Sequence, residues 1–170
     1  MLCQSPKYYP KEECGIVGLF NNTNPDAYLE LLELSIAYLE RLAFAALPWL
    51  KRDGGCLVAF ISDAGIFPAS RQTLIGAARA ATIGFVKNLA LETSRDGVRV
   101  HCVSPSFVAD TRIAKQLSES GSDRLEKAQK RAGLGLPTPS DIAPLVLFLC
   151  GDGARRITGQ VISVNGGLNT

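Results

Sequence analysis

The chain has 170 residues, 46% of them apolar and 20% charged, with a formal net charge of +2. That length and balance suit one soluble globular domain with a real core, and exclude a disordered or fibrous chain. So small a charge leaves no electrostatic footprint for nucleic acid or an anionic membrane, and neither is expected as a partner.

Residues 1–13, "MLCQSPKYYPKEE", are polar and read as an N-terminal arm, ordered only if something covers it. They lack the basic start and apolar stretch of a signal peptide. The domain is expected over 14–170. "CGIVGLF", 14–20, reads as a buried strand, and "NNTNPDA" as a turn leading into a helix. That helix is predicted from Ala27 to about Leu50, with Pro48 near its end and "KRDGG" as the stop. Within it "AYLERLAFAALPWL" is broken by Glu40, Arg41 and Pro48, and no apolar run in the chain is expected to reach the length of a membrane span. "CLVAFIS", 56–62, is a second buried strand, and "DAGIFPAS" a loop. A second long helix follows from about Arg71 to Ser94, then a strand at 98–104, "VRVHCVS". The polar stretch after it holds one or two short helices. "SDIAPLVLFLCG" is a helix capped by Ser140 or Asp141, and "GQVISVNGG" is a fourth strand.

Strands apolar throughout, alternating with helices, predict an α/β fold: a parallel sheet covered by helices on both faces. The cysteines Cys3, Cys14, Cys56, Cys102 and Cys150 are scattered, and no pair has metal-ligand spacing. No metal is expected, and the thiols read as reduced, in a cytoplasmic protein. His101, in the apolar run "VRVHCV", reads as a structural histidine with its hydrogen bonds satisfied.

"CLVAFISDAG", "VRVHCVSPSFVADT" and "SDIAPLVLFLCGDGARRITGQVISVNGG" resemble the second half of short-chain dehydrogenases/reductases. The likeness extends more weakly back to "GLFNN" and covers roughly 14–168. It implies a partial Rossmann-like sheet lacking the first three strands of the family fold, and with them the glycine-rich turn that cradles the dinucleotide. No such turn precedes residue 14, so no cofactor is expected. "GLGLP", 133–137, leads into a proline and follows no strand, so it does not read as a phosphate loop.

The resemblance also locates the family's chemistry. Those enzymes use a serine to hold the carbonyl, a tyrosine as general acid, a lysine one helical turn later, and an asparagine on the preceding helix. Ser62 matches the serine, but Ile75 stands at the tyrosine position, Arg79 at the lysine and Ser35 at the asparagine. Isoleucine has no proton to give, so no catalytic residue is expected. The "PG" after the third strand has become Pro105-Ser106, and Thr111 falls one place late. Arginine at the lysine position is similar to halohydrin dehalogenases, which nevertheless keep the tyrosine. "EECGIVGLF" resembles the start of class II glutamine amidotransferases, whose nucleophile would be Cys14. That reading needs residues 1–13 removed and an antiparallel fold, against the pattern downstream.

Both long helices are apolar around most of their circumference, more than one sheet face requires. In the family they pack against a second subunit. The implied interface residues are Tyr38, Leu42, Ala45 and Trp49 on the first helix, and Ala78, Ala81, Phe85 and Leu89 on the second. The resemblance thus implies a truncated, catalytically inert homologue, a structural or regulatory subunit of a hetero-oligomer with an intact NAD-dependent short-chain dehydrogenase. Dehydrogenases pairing an active with an inactive subunit include 2-[hydroxy(phenyl)methyl]-succinyl-CoA dehydrogenase. A homodimer is the rival arrangement. The alternatives are a cofactor-independent lyase or dehalogenase using Ser62, Arg79 and Asp63, and a homologue without function.

Overall fold

The structure is a computed structural model that describes residues 27–69 and 72–170. The arm at 1–13, the strand expected at 14–20, and Cys3 and Cys14 lie outside the described residues. Described helices and strands run α1 (Ala27–Leu32), a π-helical turn (Glu33–Ala37), α2 (Tyr38–Asp53), β1 (Cys56–Phe60), α3 (Thr73–Thr93) and β2 (Arg99–Ser104). They continue with α4 (Arg112–Glu119), α5 (Arg124–Arg131), α6 (Pro139–Cys150) and β3 (Val161–Ser163). Short 3-10 turns cover Asp63–Gly65, Ser94–Asp96 and Asp152–Ala154.

Among the described residues the sheet has three parallel strands in the order β1-β2-β3. Val58 pairs with His101, and Cys102 with Val161. Because side chains alternate across a strand, successive residues serve opposite layers. Leu57, Ala59, Val100 and Cys102 pack against Ala43 of α2 and Val86, Leu89 and Ala90 of α3. Val58 and Val103 face Ile142 and Leu149 of α6 on the other side. Leu149 is fully buried, which removes a leucine side chain from water for about 1.5–3 kcal/mol. The Rossmann-like α/β arrangement, with helices on both sheet faces, is therefore present.

Several boundaries differ from the sequence reading. Helix α2 runs through Pro48 to Asp53 instead of ending near Leu50. Leu47 and Leu50 still pack on the core beyond the proline, so burial holds the last turns despite one missing N–H. The final strand is only three residues long. The cap of α6 is Thr138, not Ser140 or Asp141. The Thr138 backbone N–H and hydroxyl both donate to Asp141 Oδ2, at 2.8 and 2.7 Å, which holds the Asp141 carboxyl below its ordinary value.

The expectation about apolar runs also needs correction. The helical stretch Thr73–Asp96 is long and apolar enough, by length and composition, to cross a membrane, with mean hydropathy 1.3. Here it is a sheet-covering helix: Ala78, Thr82, Val86, Leu89, Ala90 and Thr93 are buried within the chain, while Ala81 and Leu91 are exposed.

His101 is fully buried as expected, but neither ring nitrogen makes a hydrogen bond of good geometry. Burial lowers its pKa, assisted by the nearby Arg99 charge and opposed by the Ile157 backbone.

Candidate functional site

The C-terminal ends of all three strands meet at one carboxylate. Asp63 follows β1 and is 3% exposed. Its Oδ1 accepts from Ser104 Oγ at 2.6 Å, at the end of β2, and from Ser163 Oγ at 3.5 Å, at the end of β3. Its Oδ2 accepts from Asn165 Nδ2 at 2.7 Å and Asn169 Nδ2 at 2.9 Å. A buried carboxylate costs several kcal/mol of desolvation unless its lone pairs are filled. Here four donors fill them, so Asp63 fastens the strand ends together.

The "NGG" segment is built for that role. Asn165 Oδ1 accepts from Gly167 N–H at 3.0 Å, and Asn165 Nδ2 also donates to the Asn169 carbonyl at 3.0 Å. Gly166 has φ +65°, and a Cβ there would collide with the Gly135 carbonyl oxygen. "GLGLP" is thus a packing partner of the "NGG" turn, with Leu134 N–H bonded to the Gly166 carbonyl at 2.9 Å.

Beside Asp63 opens a cavity of about 540 Å³. Ser62, Ile75, Phe107 and Thr111 line it, and α4 and α5 cover it with Leu117 and the cations Arg124, Lys127 and Arg131. Ser62 Oγ accepts from Ala64 N–H at 3.4 Å, so it caps the short turn after β1. Ile75 offers only methyl groups from the same wall. Arg79, one turn further along α3, does not line the cavity. It packs on the turn at Gly65, where a Cβ would come within 2.7 Å of its own Cβ. Its Nε is buried without a hydrogen-bond partner, and desolvation lowers its pKa.

Ser35 sits buried in the π-helical turn, and its carbonyl accepts from Thr82 Oγ1 at 3.4 Å. Ser62 and Ile75 therefore line the same cavity, whereas Ser35 contacts α3 through its carbonyl and Arg79 packs on the Gly65 turn. The cofactor-free reaction expected of Ser62, Arg79 and Asp63 has no assembled site: the arginine is off the wall, and both Asp63 oxygens are engaged.

Thr111 caps α4, accepting from Ala114 N–H at 3.2 Å, and Ser106 has φ +59°, a left-handed backbone that favours glycine. Of the expected interface residues, Tyr38, Leu42, Ala45 and Trp49 are exposed, Ala81 is exposed and Phe85 half-buried. Ala78 and Leu89 are buried inside the chain itself.

A family model described as enoyl-(acyl carrier protein) reductase matches residues 11–169. The chain belongs to the short-chain dehydrogenase/reductase family. It is 36% identical over 121 residues to the 3-oxoacyl-[acyl-carrier-protein] reductase of Chlamydia trachomatis, covering 71% of this chain and 48% of that protein. It is 30% identical over 151 residues to dehydrogenase/reductase SDR family member 4 of Oryctolagus cuniculus, covering 88% and 58%. A short-chain oxidoreductase structure from Burkholderia thailandensis superposes with a TM-score of 0.80 at 28% identity, over 92% of this chain and 60% of that one. The chain spans about half the length of the curated relatives it matches.

Among the described residues no strand ends in a glycine-rich turn opening a helix: β1 leads to Asp63, β2 to Pro105-Ser106 and β3 to Asn165. The cavity can hold a small, partly apolar ligand against cationic side chains, but it presents no free proton donor of the tyrosine kind.

Proposed function

We propose that this chain is a non-catalytic subunit that assembles with an intact, NAD-dependent short-chain dehydrogenase, in the cytoplasm, as a structural or regulatory member of an oxidoreductase complex. The observation that carries the proposal is Ile75 on the cavity wall, where the family's proton donor would stand, with Arg79 packed on the Gly65 turn away from it. Such a chain can hold a partner in its assembled shape without performing the hydride transfer itself.

The exposed face of α2 supports this reading. Phe44 is 82% exposed, Trp49 69% and Tyr38 66%, with Leu42 beside them. Phe44, Leu47, Phe85 and Leu89 line an apolar groove of about 430 Å³, rimmed by Glu40 and Arg41. Contiguous apolar surface beyond a few hundred Å² marks interaction sites on soluble proteins. The homodimer would cover the same face, but both of its copies would carry Ile75 in place of the family's proton donor.

The test is purification of the protein from its native source, with mass spectrometry of what accompanies it. A stoichiometric short-chain dehydrogenase retaining the tyrosine and lysine pair is expected. Recovery of this chain alone, as a monomer or as a homomer, would overturn the heteromeric assignment.

A further inference from the structure

The helix that covers the cavity leaves its charges unevenly matched. Arg124, Lys127 and Arg131 line the cavity from one face of α5, three and four residues apart. Lys127 Nζ is paired with Asp123 Oδ2 at 2.5 Å, and away from the cavity Lys130 is paired with Glu126 at 2.6 Å. Arg131 Nη2 donates to the Leu168 carbonyl and to Asn169 Oδ1, both at 3.4 Å. Asn169 Nδ2 donates in turn to Asp63 at 2.9 Å, so the charges of Arg131 and Asp63 meet through one amide.

Arg124 is different. It is half-buried, and its side chain makes no hydrogen bond or ion pair among the described residues. The helical rise places its Cα roughly 10 Å along α5 from that of Arg131, at the other end of the cover. A half-buried cation without a counter-charge gives up hydration and gains nothing in return, and an anion beside it relieves that cost. The rest of the lining is largely apolar: Phe67, Ile75, Phe107, Val108, Ile113 and Leu117 face the same 540 Å³. The site thus offers one unmatched guanidinium and an apolar hollow within the roughly 300–1,000 Å³ of small-molecule sites.

We propose that this cavity binds an apolar monocarboxylate, such as a medium-chain fatty acid, with the carboxylate on Arg124 and the hydrocarbon among Leu117, Phe107 and Ile75. A guanidinium donates two parallel N–H bonds to a carboxylate, and one arginine neutralises one such head group in full. A phosphate dianion would leave a charge over, and a neutral alcohol would leave the arginine unpaired. Asp63 does not oppose the head group, because its charge lies at the Arg131 end and its oxygens are already filled by four donors. The ligand is held and not converted, so the site needs no proton from position 75. Nor does it involve the apolar groove of α2 and α3, so it stands or falls independently of the subunit role proposed above.

The experiment titrates the full chain with sodium octanoate, below its micellar concentration, by isothermal calorimetry, with 1-octanol and acetate as matched probes. One saturable site for octanoate is expected, with octanol and acetate weaker by about tenfold or more, and Arg124→Gln should weaken octanoate by a similar factor. Leu117→Glu sets a like charge on the wall and should abolish the binding. Phe44→Ser, in the apolar groove of α2, should leave it unchanged. Absence of saturable heat, equal binding of octanol or acetate, or a site kept in Arg124→Gln and lost in Phe44→Ser would overturn the proposal. If Leu117→Glu fails to fold, Arg124→Gln decides; if neither variant folds, the comparison of octanoate with octanol on the wild-type chain decides alone.

Discussion

Removing the Asp63 carboxylate should unfasten the strand ends. Asp63→Ala deletes the acceptor for Ser104 Oγ, Asn165 Nδ2 and Asn169 Nδ2, at 2.6, 2.7 and 2.9 Å, and a longer contact from Ser163 at 3.5 Å. Hydrogen bonds to a charged group contribute roughly 1.5–3 kcal/mol each, and they do not add when they share one acceptor. The alanine variant escapes the cost of burying the carboxylate, but Ser104 and Asn165 are themselves buried and would lose this acceptor. Leaving such a buried neutral donor unsatisfied costs about 1–3 kcal/mol, so a loss of a few kcal/mol is expected from the pair. Asp63→Asn keeps the shape but turns an amide against donors, and about 1–3 kcal/mol should be lost. Urea unfolding followed by far-ultraviolet circular dichroism reads both values. A loss below about 1 kcal/mol for the alanine variant, the level of a single neutral hydrogen bond, would refute the view that Asp63 holds the site together.

Three further outcomes follow from the same geometry. Ser106→Gly should stabilise the chain by up to about 1 kcal/mol, because serine occupies a left-handed backbone at φ +59°; a loss of stability in the same urea assay would contradict this. Burial depresses the His101 pKa below the ordinary 6.5, so the unfolded chain takes up the proton first as pH falls. Stability from this group is therefore complete above about 6.5 and declines below it; His101→Leu should flatten that slope in melting temperatures measured across the range. Calorimetric titration of the 170-residue chain with NAD should show no saturable heat, and Ile75→Tyr with Arg79→Lys should not create alcohol oxidation. A micromolar dissociation constant, or turnover by the double variant, would contradict the reading of the site.

The described helices and strands were legible because their apolar patterns are local; the strand expected at 14–20 lies outside the described residues. The positions Ser62, Ile75 and Arg79 were read from the family resemblance; Ser62 and Ile75 line the cavity, and Arg79 does not. What stayed hidden depends on distant pairs. Asp63 and Asn165 are 102 residues apart, and nothing local in "SDAG" or "VNGG" announces that one clamps the other. The helix expected to pass Pro48 and end near Leu50 runs on to Asp53, with Leu47 and Leu50 anchored to the core on either side of the proline. Thr138 was passed over as a cap because Ser140 and Asp141 offer the same chemistry two and three residues later; Pro139 at the first helical turn fixes the start. The satisfied histidine predicted at 101 failed because burial in an apolar run left its ring nitrogens without good partners.

The central claim, that α2 and α3 present this chain to a dehydrogenase subunit, is tested most directly by native mass spectrometry of the assembly, wild type against Leu42→Glu. Leu42 is half-exposed at the surface of α2, so the chain's own fold should tolerate the change, as circular dichroism would show. An unpaired charge in a desolvated interface should cost several kcal/mol and release the subunit. The account predicts a wild-type complex containing this chain and an intact short-chain dehydrogenase, and a free, folded chain for the variant. A wild-type protein that is a stable monomer, or a complex that survives Leu42→Glu unchanged, would contradict it.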